Sequence, residues 1–113
     1  MVIAFSRHQM AQSNAIAIEQ WFAELHDFLH RSFPSVDKDH LLQLCALYRT
    51  TCARLGIQSE HGLYAFHILC LSAGHLISSE PDYIAQHIAY EKKYGSADAL
   101  PIDLLAQVKA CGA

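Results

Sequence analysis

The chain has 113 residues and a formal net charge of −3, with 52% hydrophobic and 17% charged residues. That length suits one domain able to bury a core without disulfides or metals, and so apolar a composition excludes disorder. Lys and Arg are scattered, Lys92-Lys93 being the one doublet, which excludes the basic face that nucleic-acid binding needs.

No run reaches the ~18 consecutive apolar residues of a membrane span. Met1–Gln12 lacks the basic-then-apolar order of a secretory signal, so the expected location is the cytoplasm and the segment 1–12 is expected to be irregular. Cys45, Cys52, Cys70 and Cys111 form no C-x-x-C pair. They are expected as small buried thiols in a reducing compartment rather than as disulfides or metal ligands.

Helical periodicity runs through most of the chain and strand-type alternation through almost none. A first helix is expected from Ser13 or Asn14 to about Ser32. Ile18, Trp21, Phe22, Leu25, Phe28 and Leu29 share one face, with Glu19, Gln20, Glu24, Asp27 and Arg31 off it. Phe33-Pro34-Ser35 breaks the pattern. A second helix spans about Asp37 to Leu55, lined by Leu41, Leu44, Cys45, Tyr48, Cys52 and Leu55. Gly56 stops it, since glycine takes the left-handed conformation without steric cost.

The third helix starts near Ser59, a good N-cap, and is expected to run to about Ile77. Between Leu63 and Ile77 there is no Asp, Glu, Lys or Arg; a helix apolar on nearly every side belongs at the centre of a bundle. Gly74 inside it points to close approach of a neighbouring helix, because it weakens the helix by ~1 kcal/mol relative to Ala. A fourth helix follows Ser79, which has capping-box-like spacing to Asp82, with Pro81 in the first turn. Tyr83, Ile84, His87, Ile88 and Tyr94 form its apolar side and Gly95 ends it. Pro101 opens a short last helix in which Leu104, Leu105 and Val108 dock. The expected fold is therefore all-α: residues 1–113 as a single compact bundle of four to five helices around a buried third helix.

Eight histidines, at positions 8, 26, 30, 40, 61, 67, 75 and 87, are the unusual feature. His26 and His30, one helical turn apart, project from the same side and have metal-ligand spacing, with Glu19 on the same stripe. His26-Asp27-Phe28-Leu29-His30 has the outline of a zinc-protease motif, but Asp stands where the general-base Glu should be. His87 and Glu91 have the same spacing. With His26 and His30 they resemble part of a four-helix di-iron site, short of several interior carboxylates. His67 and His75 fall within the apolar third helix and are expected as hydrogen-bonded core residues. No G-x-S-x-G elbow, glycine-rich phosphate loop or electropositive cysteine setting is present, so the chain is expected not to be an enzyme.

The stretch Tyr48-Arg49-Thr50-Thr51-Cys52-Ala53-Arg54-Leu55-Gly56-Ile57-Gln58-Ser59-Glu60 continues through the uncharged helix to Gly74 and then Ser79-Glu80-Pro81. Over residues 48 to about 90, under half the chain, it resembles small helical accessory and immunity-type proteins encoded beside type VI secretion effectors in Gram-negative bacteria. Where those proteins carry an aromatic soon after the glycine, this chain has His75, Leu76 and Ile77. The resemblance implies immunity to, or chaperoning of, a cognate secreted toxin, and it carries no active-site residues.

The expected function is thus a non-enzymatic protein-binding module, an immunity protein or chaperone/adaptor, with no cofactor. Its expected anchors are Trp21, Tyr90 and Tyr94, residue types favoured at binding hot spots. One alternative is a metal-binding bundle holding zinc or iron on His26, His30, His87 and Glu91. Another is a structural homodimer that pairs the surplus apolar face with its own copy.

Overall fold

The computed structural model describes the backbone of residues 14–112 and the side chains of residues 17–109. Among the described residues every regular element is helical: α1 (Asn14–Ser32), α2 (Lys38–Leu55), α3 (Glu60–Ala73), a 3-10 turn (Ile77–Ser79), α4 (Pro81–Tyr94) and α5 (Ala99–Gly112). The fold class is all-α. No helix among these residues is long and apolar enough to cross a membrane. The expectations for residues 1–12, the cap at Ser13 and the burial of Cys111 lie outside the described residues. Tertiary contacts group the chain into two units, Met1–Leu42 and Gln43–Ala113.

In the first unit α1 buries Trp21, Leu25 and Leu29, while Glu19, Gln20, Glu24, Asp27 and Arg31 face solvent as their spacing requires. Trp21 and Phe22 meet edge to face, with ring centroids 5.0 Å apart. The apolar stripe is rotated from the expected one, because His26 is buried and Phe28 is exposed. At ~3.6 residues per turn, His26 lies beside Phe22 at one edge of the buried stripe, whereas Phe28 falls just past Trp21 at the other edge. Asp37 caps the start of α2, its carboxylate accepting the backbone N–H groups of Asp39 at 3.2 Å and His40 at 3.4 Å.

The second unit holds the larger core: Tyr48, Cys52, Ile57, Ala65, Phe66, Leu69, Cys70, Ile77, Tyr83, Ala97, Leu100 and Leu105. α3 is its centre and packs on α5, which in turn packs on α4. Six of the residues of α3 are buried, Gly62, Ala65, Phe66, His67, Leu69 and Cys70, and beyond the Glu60 of its first turn the helix carries no charge to hold toward water.

Three glycines punctuate the chain with left-handed backbone, Gly56, Gly74 and Gly95. Gly74 corrects an expectation. It ends α3 at φ 79°, its N–H bonding the Cys70 carbonyl, and a Cβ there would meet nothing within 4 Å. Its role is a helix stop, not close packing. The chain then turns, and His75, expected in the core, is exposed with its Nε2 2.6 Å from Glu80 Oε1. The expected capping box at Ser79 also does not form: Ser79 Oγ donates to the Leu76 carbonyl, and Glu80 holds the N-cap position before Pro81.

The entrance to α3 is secured from far along the chain. Ser59 Oγ accepts the Gly62 N–H at 2.9 Å. Asp98, at the head of α5, accepts the backbone N–H groups of Gln58 at 2.8 Å and Ser59 at 3.2 Å through Oδ1. A Cβ on Gly62 would stand 2.5 Å from that same oxygen, which two backbone bonds hold in place. Gly62→Ala is therefore expected to destabilise the protein by about 1–3 kcal/mol, the overpacking range. In an Asp98→Ala background the oxygen at 2.5 Å is gone and only the Cβ of residue 98 remains close, at 3.1 Å, so the same substitution is expected to cost distinctly less. Urea unfolding of the four proteins of this cycle checks the relief; a penalty for Gly62→Ala unchanged by Asp98→Ala would disprove the clash.

Candidate functional site

Of the three expected anchors, two come together. Tyr90 and Tyr94 are one turn apart on α4, and their ring centroids lie 5.4 Å apart. Tyr90 is half-buried and its hydroxyl donates to Asp103 Oδ2 of α5 at 2.5 Å. That bond raises the Tyr90 pKa, because the carboxylate resists a second negative charge beside it. Asp103 Oδ2 also accepts Gln107 Nε2 at 3.0 Å. The polar tip of Tyr90 is thus anchored, and its ring supports that of Tyr94, which is 55% exposed. Lys93 Nζ lies 5.1 Å from the Tyr94 ring centroid, within cation–π range. The result is an aromatic edge fixed at its base and open at its tip.

Trp21 is elsewhere. It is 7% exposed in the first unit and offers no open ring face there. Asp103 is the member of the site that sequence reasoning missed. It sits on a different helix, and only its placement three residues after Leu100, whose side chain is wholly buried, hints that it flanks an inward-facing residue of α5.

The four candidate metal ligands divide between the two units. In the first, His26 is buried with Nδ1 3.9 Å from Asp27 Oδ1, and its Nε2 has no hydrogen-bond partner; His30 is half-buried. In the second, His87 stacks on Tyr83 at a centroid distance of 6.4 Å, and Glu91 is exposed. Among the described residues no group of three or more His, Cys, Asp or Glu side chains is arranged to hold a metal ion.

Cys45, Cys52 and Cys70 are poorly placed for nucleophilic work, which needs a thiolate. Burial pushes Cys45 up to about 11 and Cys70 up to about 12, and it raises Cys52 as well. His67 is wholly buried, with Nδ1 2.8 Å from the Leu63 carbonyl. A carbonyl can only accept, so the proton sits on Nδ1. Burial holds its pKa down to about 4 against the pull of the Leu63 and Cys45 carbonyls. A histidine neutral throughout the physiological range and shut off from solvent is a packing residue, as expected from the sequence.

No family model, curated protein or solved structure matches this chain.

Proposed function

We propose that the chain is a non-enzymatic protein-binding module whose anchor is the Tyr90–Tyr94 edge of α4. The observation that carries this is the clamped aromatic pair: Tyr90 tied to Asp103, and Tyr94 leaning against Tyr90 at a tilt of 47° with more than half of its surface open. Tyrosines supply large contact area with few rotatable bonds, and a ring already held in place loses little further freedom on binding. The protonated cysteines and the neutral, enclosed His67 favour binding over catalysis. The partner class rests on the likeness of residues 48–90 to type VI accessory proteins: a secreted toxin that this protein neutralises or escorts in the cytoplasm. A net charge of −3 favours encounter with a basic partner over an acidic one.

Tyr94→Ala is expected to weaken partner binding by at least tenfold, the cost of truncating a hot-spot aromatic. The measurement is capture from the native host with tagged protein, followed by calorimetric titration of whatever binds stoichiometrically. Val108→Ala, at an exposed apolar site on α5, serves as the control. Loss of the partner with Tyr94→Ala and its retention with Val108→Ala supports the reading. Equal binding by both variants refutes the anchor. A captured partner with toxin activity that this protein suppresses identifies immunity, and one that is exported intact identifies chaperoning.

A further inference from the structure

The histidine pair of α1 has no part in the Tyr90–Tyr94 edge, and the geometry points to a site there for zinc, held by His26 and His30. The two residues stand one turn apart on α1, His26 buried and His30 half-buried. At ~100° per residue they are about 40° apart around the axis, and residues so spaced have Cβ atoms ~5–6 Å apart. Two imidazoles at that spacing can close on one ion with metal–nitrogen bonds of ~2.0–2.1 Å.

The two ring nitrogens of His26 lie in unlike settings. Nε2 is buried and has no hydrogen-bond partner, on a side chain only 10% exposed. Nδ1 lies 3.9 Å from Asp27 Oδ1. That is too long for a hydrogen bond, but the Asp27 side chain is 76% exposed and free to turn toward the ring. A carboxylate on that side favours the tautomer with its proton on Nδ1, which leaves the Nε2 lone pair bare. A buried acceptor with no donor weakens the fold, and a cation answers it. Carboxylate at one ring nitrogen and metal at the other is how histidines ordinarily serve as ligands.

The half-buried His30 opens the pair to solvent and gives the ion its way in. Phe22, one turn before His26 and half-buried, supplies an apolar wall beside it. Imidazole nitrogens favour zinc over magnesium and calcium, which take oxygen ligands. Glu19, on the same stripe, stands seven residues before His26, ~10 Å along the axis, too far to share the ion. Water fills the positions that the two histidines leave open, so the site is weaker than a four-ligand structural one. It needs neither His87 nor Glu91, which belong to the other unit, and it stands whether or not the tyrosine edge binds a partner.

Titration of the untagged full chain with zinc, in competition with a chromophoric chelator, tests it. The wild type is expected to take up one equivalent at micromolar concentration. His26→Ala and His30→Ala are each expected to weaken uptake at least tenfold. His40→Ala and His61→Ala, at exposed histidines of α2 and α3, are expected to bind as the wild type does. Zinc is also expected to raise the thermal unfolding midpoint of the wild type and not that of His30→Ala, since an ion that binds only the folded chain stabilises it. His30 is only half-buried, so its variant decides the matter even if His26→Ala disturbs α1, which circular dichroism would reveal. A wild type that takes up no zinc, uptake indifferent to His30→Ala, or uptake lost equally with His40→Ala or His61→Ala, the mark of adventitious chelation by surface histidines, would each overturn the proposal.

Discussion

Replacing Phe66 by alanine is expected to lower the free energy of unfolding by about 3–5 kcal/mol, near the top of the range for a single core truncation. Phe66 is wholly buried in α3, the helix at the centre of the second unit. Tyr48 of α2 and Tyr83 of α4 meet its ring edge to face at centroid distances of 6.4 Å and 6.2 Å. Removing it therefore empties a position where three helices converge, and the larger rings around it cannot close the space without leaving their own contacts. Urea unfolding followed by far-UV circular dichroism measures the loss, with an unchanged denaturant slope showing that the cooperative unit is the same. A loss below about 1 kcal/mol would mean that the site collapses freely and that the three-way junction does not hold the fold.

Acidification is expected to cost this protein stability between pH 6.5 and about 4, with His67 the principal cause in the second unit. Its ordinary value of 6.5 is held down to about 4 by burial. In the unfolded chain the ring takes up a proton as pH falls through 6.5, while in the folded chain it stays neutral until about 4. Over that window the unfolded state binds more protons, so stability falls with pH. At ~1.36 kcal/mol per pKa unit the loss approaches roughly 3 kcal/mol below pH 4. His75 has the opposite sign: its hydrogen bond to Glu80 raises its pKa, so what it contributes is present at low pH and fades as pH rises past the folded value. It is fully exposed to solvent and its effect is correspondingly weak. Unfolding free energies at pH 7.5 and pH 4.5 for wild type and His67→Gln separate the two. The wild type loses stability on acidification and the variant loses distinctly less. Equal losses would mean that His67 charges as readily in the folded chain as in the unfolded one.

The all-helical class and most helix ends could be read from the chain. Gly56 and Gly95 stop their helices where expected, and Ser59 caps α3. These signals are local, since one residue's backbone freedom or side-chain reach settles each. Gly74 is the same kind of signal, misread because the apolar run continues past it into His75-Leu76-Ile77. That run carries on in a different conformation, with Ile77 buried through the 3-10 turn and His75 turned out to Glu80. Ile84 and Ile88, expected on the apolar side of α4, are exposed, and that face was harder to assign for a physical reason. Isoleucine and tyrosine are both apolar to a periodicity argument, but only tyrosine brings a hydroxyl that can reach a partner such as Asp103 when its ring packs inward. The Tyr90–Tyr94 half of the site follows from spacing alone. The Asp103 half does not, because it is set by how α5 lies on α4. The bonds of Asp98 lie still further out of reach, as nothing near Gln58 or Ser59 announces a cap that far downstream.

That cap has a consequence for the order in which the protein is made. Asp98 lies 40 residues after Gln58, and Ala97, Leu100 and Leu105 of the core are delivered with it. At about 5–20 residues per second, a ribosome needs roughly 2–8 s to pass from one to the other. During that interval the emerging α3, uncharged from Leu63 onward, has neither its second cap nor the helix that covers it. A nascent chain halted before Asp98 thus presents the most apolar segment of the protein to the surrounding cell, and chaperone attachment during translation should be concentrated there and end when α5 arrives.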